Sequence, residues 1–522
     1  MSYPRVLAVG DRAVTVQLGA TLDEQTVARV RALDLRLRQS DLSGVLEAVP
    51  TYAALMVIYD RLRLPFARLR EDLLRLAEGL EAGEDAGQRV EIETVYDGED
   101  LGEVASACGL TPDAVVDLHS GRDYSVLMLG FSPGFPYMGF VDERLRRPRR
   151  DTPRTRVPAG SIGVAGSQTG IYPRILPGGW NLLGRTSLEL FNPEKPDPSR
   201  LLPGDRVRFV PVTSLEPGPR AQRFRYLGSG IRVIDAGLLT TIQDAGRTGL
   251  RRAAVPLAGY ADAAAAAAAN TRVGNPKNAP VVEICGPGLK VAFEKTTFVA
   301  LAGVRISARL ERSDLQGASM PVPMNAAVRV RASNVLAISA LDEGARGYVA
   351  IAGLQAPRLL GSASVDLGSG FLRALEADDE LEVGGFDSDR IRLEPCPEPG
   401  RRDTVRVILG PQADHFDPLT IETFLSAEWR VGLDSDRVGA RLDGPRLVHS
   451  GPSEIVSDGM VPGCIQIPPD GRPIVMLKDC PTTGGYPKIG CVIDADLGLM
   501  AQAVPGRTAI RFIGLRIEDL ES

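Results

Sequence analysis

The chain has 522 residues, 44% of them hydrophobic, and a formal net charge of −6 with both signs interspersed. That length and apolar content call for several globular domains with cores of their own, and the charge leaves no basic footprint for nucleic acid or an anionic membrane. Six scattered cysteines without a Cys-x-x-Cys pair, and only His119, His415 and His449 as histidines, argue against a zinc site, a disulfide framework or a histidine-rich metal centre, so no metal is expected.

The opening Met1-Ser2-Tyr3-Pro4-Arg5-Val6-Leu7 lacks a basic segment followed by a long apolar run, and no stretch reaches the roughly 18 apolar residues that span a bilayer, so cytoplasm is the expected location and no membrane contact is expected. Glu24 to Ser40 reads as a helix, and Leu64 to Leu80 as a second with leucine at helical spacing. Pro112 to His119 reads as a third, with Thr111 as its cap; His119 then ends a helix, where the dipole favours a cation, so a structural role competes there with a catalytic one. A stretch rich in Pro, Gly and Arg, taken as 214–228, has no periodicity and is expected to be a linker. Beyond it the alanine run Ala263 to Ala269 reads as a helix capped by Asp262. Elsewhere 56 glycines and 39 prolines fall between short Val/Ile/Leu runs, the pattern of many short strands and tight turns, with Val207 to Val210 and Ala509 to Phe512 alternating with a period of two.

Three matches recur at one spacing. Val157-Pro158-Ala159-Gly160-Ser161-Ile162 returns as Val461-Pro462-Gly463-Cys464-Ile465, Pro203-Gly204-Asp205 through Phe209 returns as Pro505-Gly506-Arg507 through Phe512, and Trp180 of Pro177-Gly178-Gly179-Trp180 is answered by Tyr486 of Thr482-Thr483-Gly484-Gly485-Tyr486-Pro487-Lys488, each roughly 300 residues on. Two similar domains in one chain, with paired sites or a shared cleft, is the simplest reading. No Gly-Lys dipeptide occurs, which excludes a Walker A loop. Gly130-Phe131-Ser132-Pro133-Gly134 matches a nucleophile elbow, but Pro133 has no N–H for an oxyanion hole, so Ser132 is set aside.

The loops carry the positive signals. Gly130 to Gly139 sets three aromatics among glycines and suits either a ligand wall or a turn packed into the core. Gly160 to Pro173 reads as a polar-tipped hairpin. Only Lys195, Lys277, Lys290, Lys295, Lys478 and Lys488 are lysine among 60 basic residues, which is informative where a compact ammonium is needed. Lys478 and Lys488 flank the Thr-Thr-Gly-Gly-Tyr loop; Lys488, expected at a turn, is either a contact to phosphate or carboxylate, a proton carrier, or a surface lysine. Asp434-Ser435-Asp436-Arg437 is either a carboxylate site or an Asx turn with its arginine.

At these residues the chain resembles a known family. The first part is similar to the B-type subunit of prokaryotic 5-oxoprolinase, also described as allophanate hydrolase subunit 1 and as a sporulation-kinase inhibitor, through Val49-Pro50-Thr51-Tyr52, His119, Gly130 to Tyr137, Pro153-Arg154, Gly160-Ser161, Gln168 to Pro173 and Pro177 to Trp180. The second resembles the C-type subunit, or allophanate hydrolase subunit 2, through Gln243-Asp244-Ala245-Gly246-Arg247, Asn270, Gly274-Asn275, Glu283, Leu360-Gly361-Ser362, Gly410-Pro411-Gln412, Ser435-Asp436-Arg437, Ile465 to Pro468 and Thr482 to Lys488. The resemblance implies a mainly β fold of tandem cyclophilin-like β-barrels with a small α+β N-terminal subdomain, divided as 1–85, 86–213, the linker 214–228, 229–400 and 401–522.

It implies an ATP- and magnesium-dependent opening of 5-oxo-L-proline to L-glutamate with a separate A-type 5-oxoprolinase subunit, or, as a second reading, a carboxyltransferase that takes carboxylate from biotin on a separate carrier to urea or a similar small amide; a third reading is a non-catalytic, kinase-inhibitor-like binding module. Self-association is left open. The candidate catalytic residues are Lys488, Tyr486, His119 and Arg154, and the candidate substrate contacts are Gly134, Phe135, Tyr137, Ser161, Gln168, Tyr172, Gly178, Gly179, Trp180, Asp244, Arg247, Asn275, Gln412, Ser435, Asp436, Arg437, Gln466, Thr483, Gly484 and Gly485. The chain departs from the family at Ala261 (usually methionine), at Ala363 and Val365 (an arginine and a threonine), and at Pro481 (glutamine), all in the second part.

Overall fold

The computed structural model describes residues 3–81, 87–216, 218, 224–313, 318–396 and 402–520; the linker expected over 214–228 lies partly outside them. Glu24–Ser40 is helical, with the Asp23 carboxylate accepting the Thr26 amide at 2.8 Å to close its first turn. Its buried stripe of Val27, Val30, Leu33 and Leu37 faces a four-stranded sheet, Arg5–Val9, Ala13–Gln17, Ala54–Tyr59 and Val45–Pro50 in spatial order. The leucine-rich helix is shorter than its pattern, Phe66–Leu76: Pro65 holds Leu64 out of the helix, and Gly79, at φ +56°, turns the chain away after it. Thr111 and Asp262 cap Pro112–Ser120 and Ala263–Arg272 as expected. The helix Pro418–Ser426 is not among those expected, although its Asp417 cap and Pro418 in the first turn follow the same rule.

The duplication is visible strand by strand. In the first barrel the order is Asn181–Arg185, Ser161–Ala165, Gln168–Ile171, Pro136–Gly139, Asp123–Leu129, Arg206–Pro211 and Arg89–Thr94, closed by reciprocal backbone bonds of 3.0 and 2.9 Å between Val95 and Arg185. The second barrel runs Lys488–Val492, Cys464–Gln466, Ile474–Met476, Gly439–Asp443, Trp429–Val431, Ala509–Leu515 and Thr404–Leu409. In both, the last two strands form a parallel pair while their neighbours are antiparallel. Recurrent turn residues at one spacing therefore reflect one closure scheme used twice.

Between the barrels in sequence lies a sheet of ten strands among the described residues, built on Thr297–Arg312 and Val335–Ile351, which pair along most of their length. These strands, 16 and 17 residues long, exceed the short runs expected. The N-terminal sheet joins the halves. One face packs on its own helices, while Val9, Ala13, Val49, Met56 and Ile58 on the other pack against Met460, Val461, Cys464, Met476 and Cys491 of the second barrel. Ion pairs ring this contact: Arg5–Asp414 at 3.2 Å, Arg12–Asp494 at 2.5 Å, and the buried Arg251–Glu47 at 2.9 Å.

Candidate functional site

The two loops singled out in the sequence touch. Gly130 lies so close to the Thr483 hydroxyl that a Cβ there would collide with it, so any side chain at 130 would push the barrels' loops apart. Behind Gly130 the aromatics form one cluster: the Phe135 ring is 4.9 Å from Tyr137, 5.2 Å from Tyr172 and 5.8 Å from Trp180. Phe135, Tyr172 and Trp180 are buried, whereas Phe131 is 42% exposed. Gly178 sits against the Tyr172 hydroxyl, the Gly179 carbonyl accepts the Arg150 amide at 2.8 Å, and the Gln168 amide bonds the Tyr52 hydroxyl at 2.9 Å. The Gly134 amide bonds Ala253 of the other half at 3.2 Å, and Ser161 starts a buried barrel strand. The aromatic loop is thus mainly core, with Phe131 as its exposed member.

Lys488 is not on the surface, and the turn position expected for it is corrected: it opens a barrel strand and is fully buried. Its Nζ donates to Asp458 Oδ2 at 2.8 Å and to the Gly459 carbonyl at 2.9 Å, while Gln412 donates to the same Asp458 oxygen at 3.2 Å and Thr15 of the N-terminal sheet donates to the other at 3.1 Å. Asp458–Gly459 pairs in turn with Thr483–Gly484. Lys488 therefore positions the Thr-Thr-Gly-Gly-Tyr loop and presents no free ammonium to a ligand. Gln466 reaches the Tyr486 carbonyl at 3.4 Å; Tyr486 and Gly485 remain partly exposed at the loop tip.

His119 is likewise enclosed. Its ring bonds Tyr96 at 2.8 Å and Thr169 at 2.9 Å and stacks on Phe209 at 4.6 Å, and burial pushes its pKa down to about 3, so it is a neutral core residue and not the helix-terminal cation that its position suggested. Arg154 is held by Asp100 at 2.7 Å and Glu99 at 3.2 Å. The Asp244 carboxylate is bracketed by the Ser362 and Ser364 hydroxyls, the Ala363 amide at 2.9 Å and Arg358 at 3.1 Å. Arg247 donates to the Ser364 carbonyl at 2.6 Å and lies over Phe371. Asn275 ties Asn270 and the Ile351 carbonyl. Asp436 accepts the Val438 and Gly439 amides, the Asx-turn alternative, and Ser435 accepts the Arg441 amide. Asp244, Arg247 and Asn275 thus hold the fold of the second part, and the buried Ala363 and Val365 belong to the same bracket and its core.

Arg437 sits in a buried charge network. It donates to Asp479 at 2.8 and 2.9 Å, to Glu283, and to the Gly259 carbonyl at 2.7 Å; burial opposes its charge, but Asp479 and Glu283 raise its pKa well above the usual guanidinium value. Burial pushes Asp479 up to about 6 against the pull of Arg437. Beside this network Lys478 lines two cavities, one of about 320 Å³ between the N-terminal sheet and the second barrel, and one of about 680 Å³ beside the helix Ala263–Arg272. Ala261, one of the departures noted above, also lines the larger one. Sequence reasoning missed Asp458, Asp479 and the placement of Lys478. The first two are long-range partners with no local signature, whereas the rarity of lysine did point to Lys478. Among the described residues no group of three or more His, Cys, Asp or Glu side chains is placed to hold a metal ion, and no helix is long and apolar enough to cross a membrane.

Comparison with known proteins divides the chain at the same joint. Residues 4–201 match the model "Carboxyltransferase domain, subdomain C and D", and residues 253–513 match "Carboxyltransferase domain, subdomain A and B". The B-type subunit of Bacillus subtilis 5-oxoprolinase is 39% identical over 39% of this chain and 91% of that protein, and the C-type subunit of Escherichia coli K12 5-oxoprolinase is 35% identical over 55% of this chain and 92% of that protein. Among solved structures, TTHA0988 superposes with a TM-score of 0.85 at 36% identity, covering 96% of this chain and 99% of that one. The Kluyveromyces lactis urea carboxylase superposes with a TM-score of 0.50 at 27% identity over 57% of this chain and 29% of that one.

Proposed function

The chain belongs to the carboxyltransferase family that includes the B-type and C-type subunits of 5-oxoprolinase, and on that premise we propose that it is the joined B–C component of an ATP-dependent 5-oxoprolinase, opening 5-oxo-L-proline to L-glutamate with a separate A-type partner. The observation that supports this most is that each half aligns with nearly the whole of a different subunit of one enzyme. No Gly-Lys dipeptide and hence no Walker A loop occurs, so a nucleotide is held by another kind of site or by the partner, and no step is routed through ATP in this chain. What this chain contributes is a cleft where its two halves meet and, held in place by Lys488, the Thr-Thr-Gly-Gly-Tyr loop; positioned backbone donors on such a loop are suited to an amide oxygen that gains negative charge. The purified chain alone is expected to form little glutamate from 5-oxoproline, and to gain at least tenfold when an A-type 5-oxoprolinase partner, ATP and magnesium are added, measured as glutamate released. Equal rates with and without the partner defeat this reading.

The similarity to urea carboxylase favours carboxyl transfer as the second reading. A biotinylated carrier loaded with carboxylate discriminates the two: loss of that carboxylate to urea or another small amide in the presence of this chain, with no glutamate formed from 5-oxoproline, selects it.

A further inference from the structure

Around the joint cleft every arginine has a carboxylate of its own: Arg12 has Asp494 at 2.5 Å, Arg61 has Asp11 at 3.4 Å, Arg251 has Glu47 at 2.9 Å, and Arg437 has Asp479 at 2.8 Å. Lys478 has none. Among the described residues its ammonium has neither an ion-pair nor a hydrogen-bond partner. The backbone that carries it is firmly placed, because its carbonyl accepts the Ala258 amide at 3.0 Å and the flanking Leu477 and Asp479 amides bond Val438 and Arg437 at 2.9 and 3.0 Å. Burial lowers its pKa, Asp494 pulls it back up and Arg12, Arg251 and Arg437 push it further down, while the cavity sets Asp11, Glu47 and Asp494 beside Arg12 and Arg251, charges already matched with one another. Its neighbours there include Leu257, Val461, Pro462 and Leu497. The residue is half-buried, so its ammonium opens onto the cleft, and an anion bound there would stabilise the folded chain by mass action.

We propose that Lys478 anchors the carboxylate of a small ligand entering the cleft between the two halves; on the 5-oxoprolinase reading, from which this part is taken, that ligand is 5-oxoproline, with its ring methylenes against the apolar wall. One compact ammonium with apolar neighbours suits a monocarboxylate. A polyphosphate would call on the guanidinium groups, which are already paired.

The test is calorimetric titration of the full-length chain and of Lys478→Met with 5-oxoproline, with acetate, and with 2-pyrrolidone, which keeps the ring and lacks the carboxylate. The wild-type chain is expected to bind 5-oxoproline at least tenfold more tightly than Lys478→Met does, a change on the scale of one charge-assisted contact. 2-Pyrrolidone should bind both weakly and equally. Lys478→Met should melt no lower than wild type, since it removes an unpaired charge. Equal 5-oxoproline affinity in the two chains, binding of 2-pyrrolidone as tight as that of 5-oxoproline, or no binding of either carboxylate to wild type overturns the anchor. Failure of the broader reading looks different. A chain that binds carboxylates through Lys478 but forms no glutamate with the A-type partner keeps the anchor and loses the oxoprolinase role, whereas a working complex indifferent to Lys478→Met keeps the role and loses the anchor.

Discussion

Replacing Lys488 by alanine is expected to destabilise the second barrel by about 3–5 kcal/mol, the usual result when one member of a buried ion pair is removed and the other stays charged. Asp458, only 4% exposed, would keep the Gln412 and Thr15 bonds but lose the ammonium that balances it. The loss should appear as a lower urea midpoint for the transition that includes the barrel, and because Asp458–Gly459 pairs with Thr483–Gly484 the adjoining loop should loosen with it. The double variant Lys488→Met/Asp458→Asn should recover part of the stability, since the asparagine oxygen can still accept from Thr15 and no charge is left to neutralise, although the Gln412 bond is lost. A single variant as stable as wild type would show that the pair is not what holds this strand.

A second large effect is expected on acidification. The His119 pKa is pushed down to about 3 by burial, against an ordinary value of 6.5. Below pH 6.5 the unfolded chain takes up a proton that the folded barrel refuses, so the contribution is fully present above that pH and is lost as the pH falls toward 3, to a total of about 4–5 kcal/mol. Urea midpoints of wild type and His119→Gln at pH 7.5, 6, 5 and 4 isolate it: carboxylates titrate in both proteins, and the difference between the curves should narrow on the acid side as wild type loses its advantage. Parallel curves would mean that the imidazole stays accessible to protons in the folded barrel.

Features decided within a few residues were legible. Thr111 and Asp262 each cap the helix that their spacing announced, and the repeated Val-Pro and Pro-Gly turns marked two similar domains, which the structure shows as two barrels closed in the same way. What lay beyond local reach was the pairing of charges. Arg437 reads as half of an Asx turn until Glu283, 154 residues earlier, arrives beside it. Lys488 looks like a loop lysine until Asp458 and Gly459 enclose it. The long strand Thr297–Arg312 escaped notice because its residues alternate in burial only over its later half, the earlier half being buried on both faces. The sites differ for the same reason: glycine-rich loops can be found by composition, whereas an ammonium without a counter-charge is defined by everything around it.

The N-terminal sheet, clasped by the second barrel through Val9, Met56 and Ile58 against Met460, Val461 and Cys491, changes the meaning of the peptide connection between the halves. Affinity resides in that apolar face and its rim of ion pairs, so the peptide connection acts by raising the local concentration of one half around the other. In the relatives the corresponding parts are named as separate B-type and C-type subunits. A single chain makes that union independent of expression level and fixes the stoichiometry of the halves at one to one.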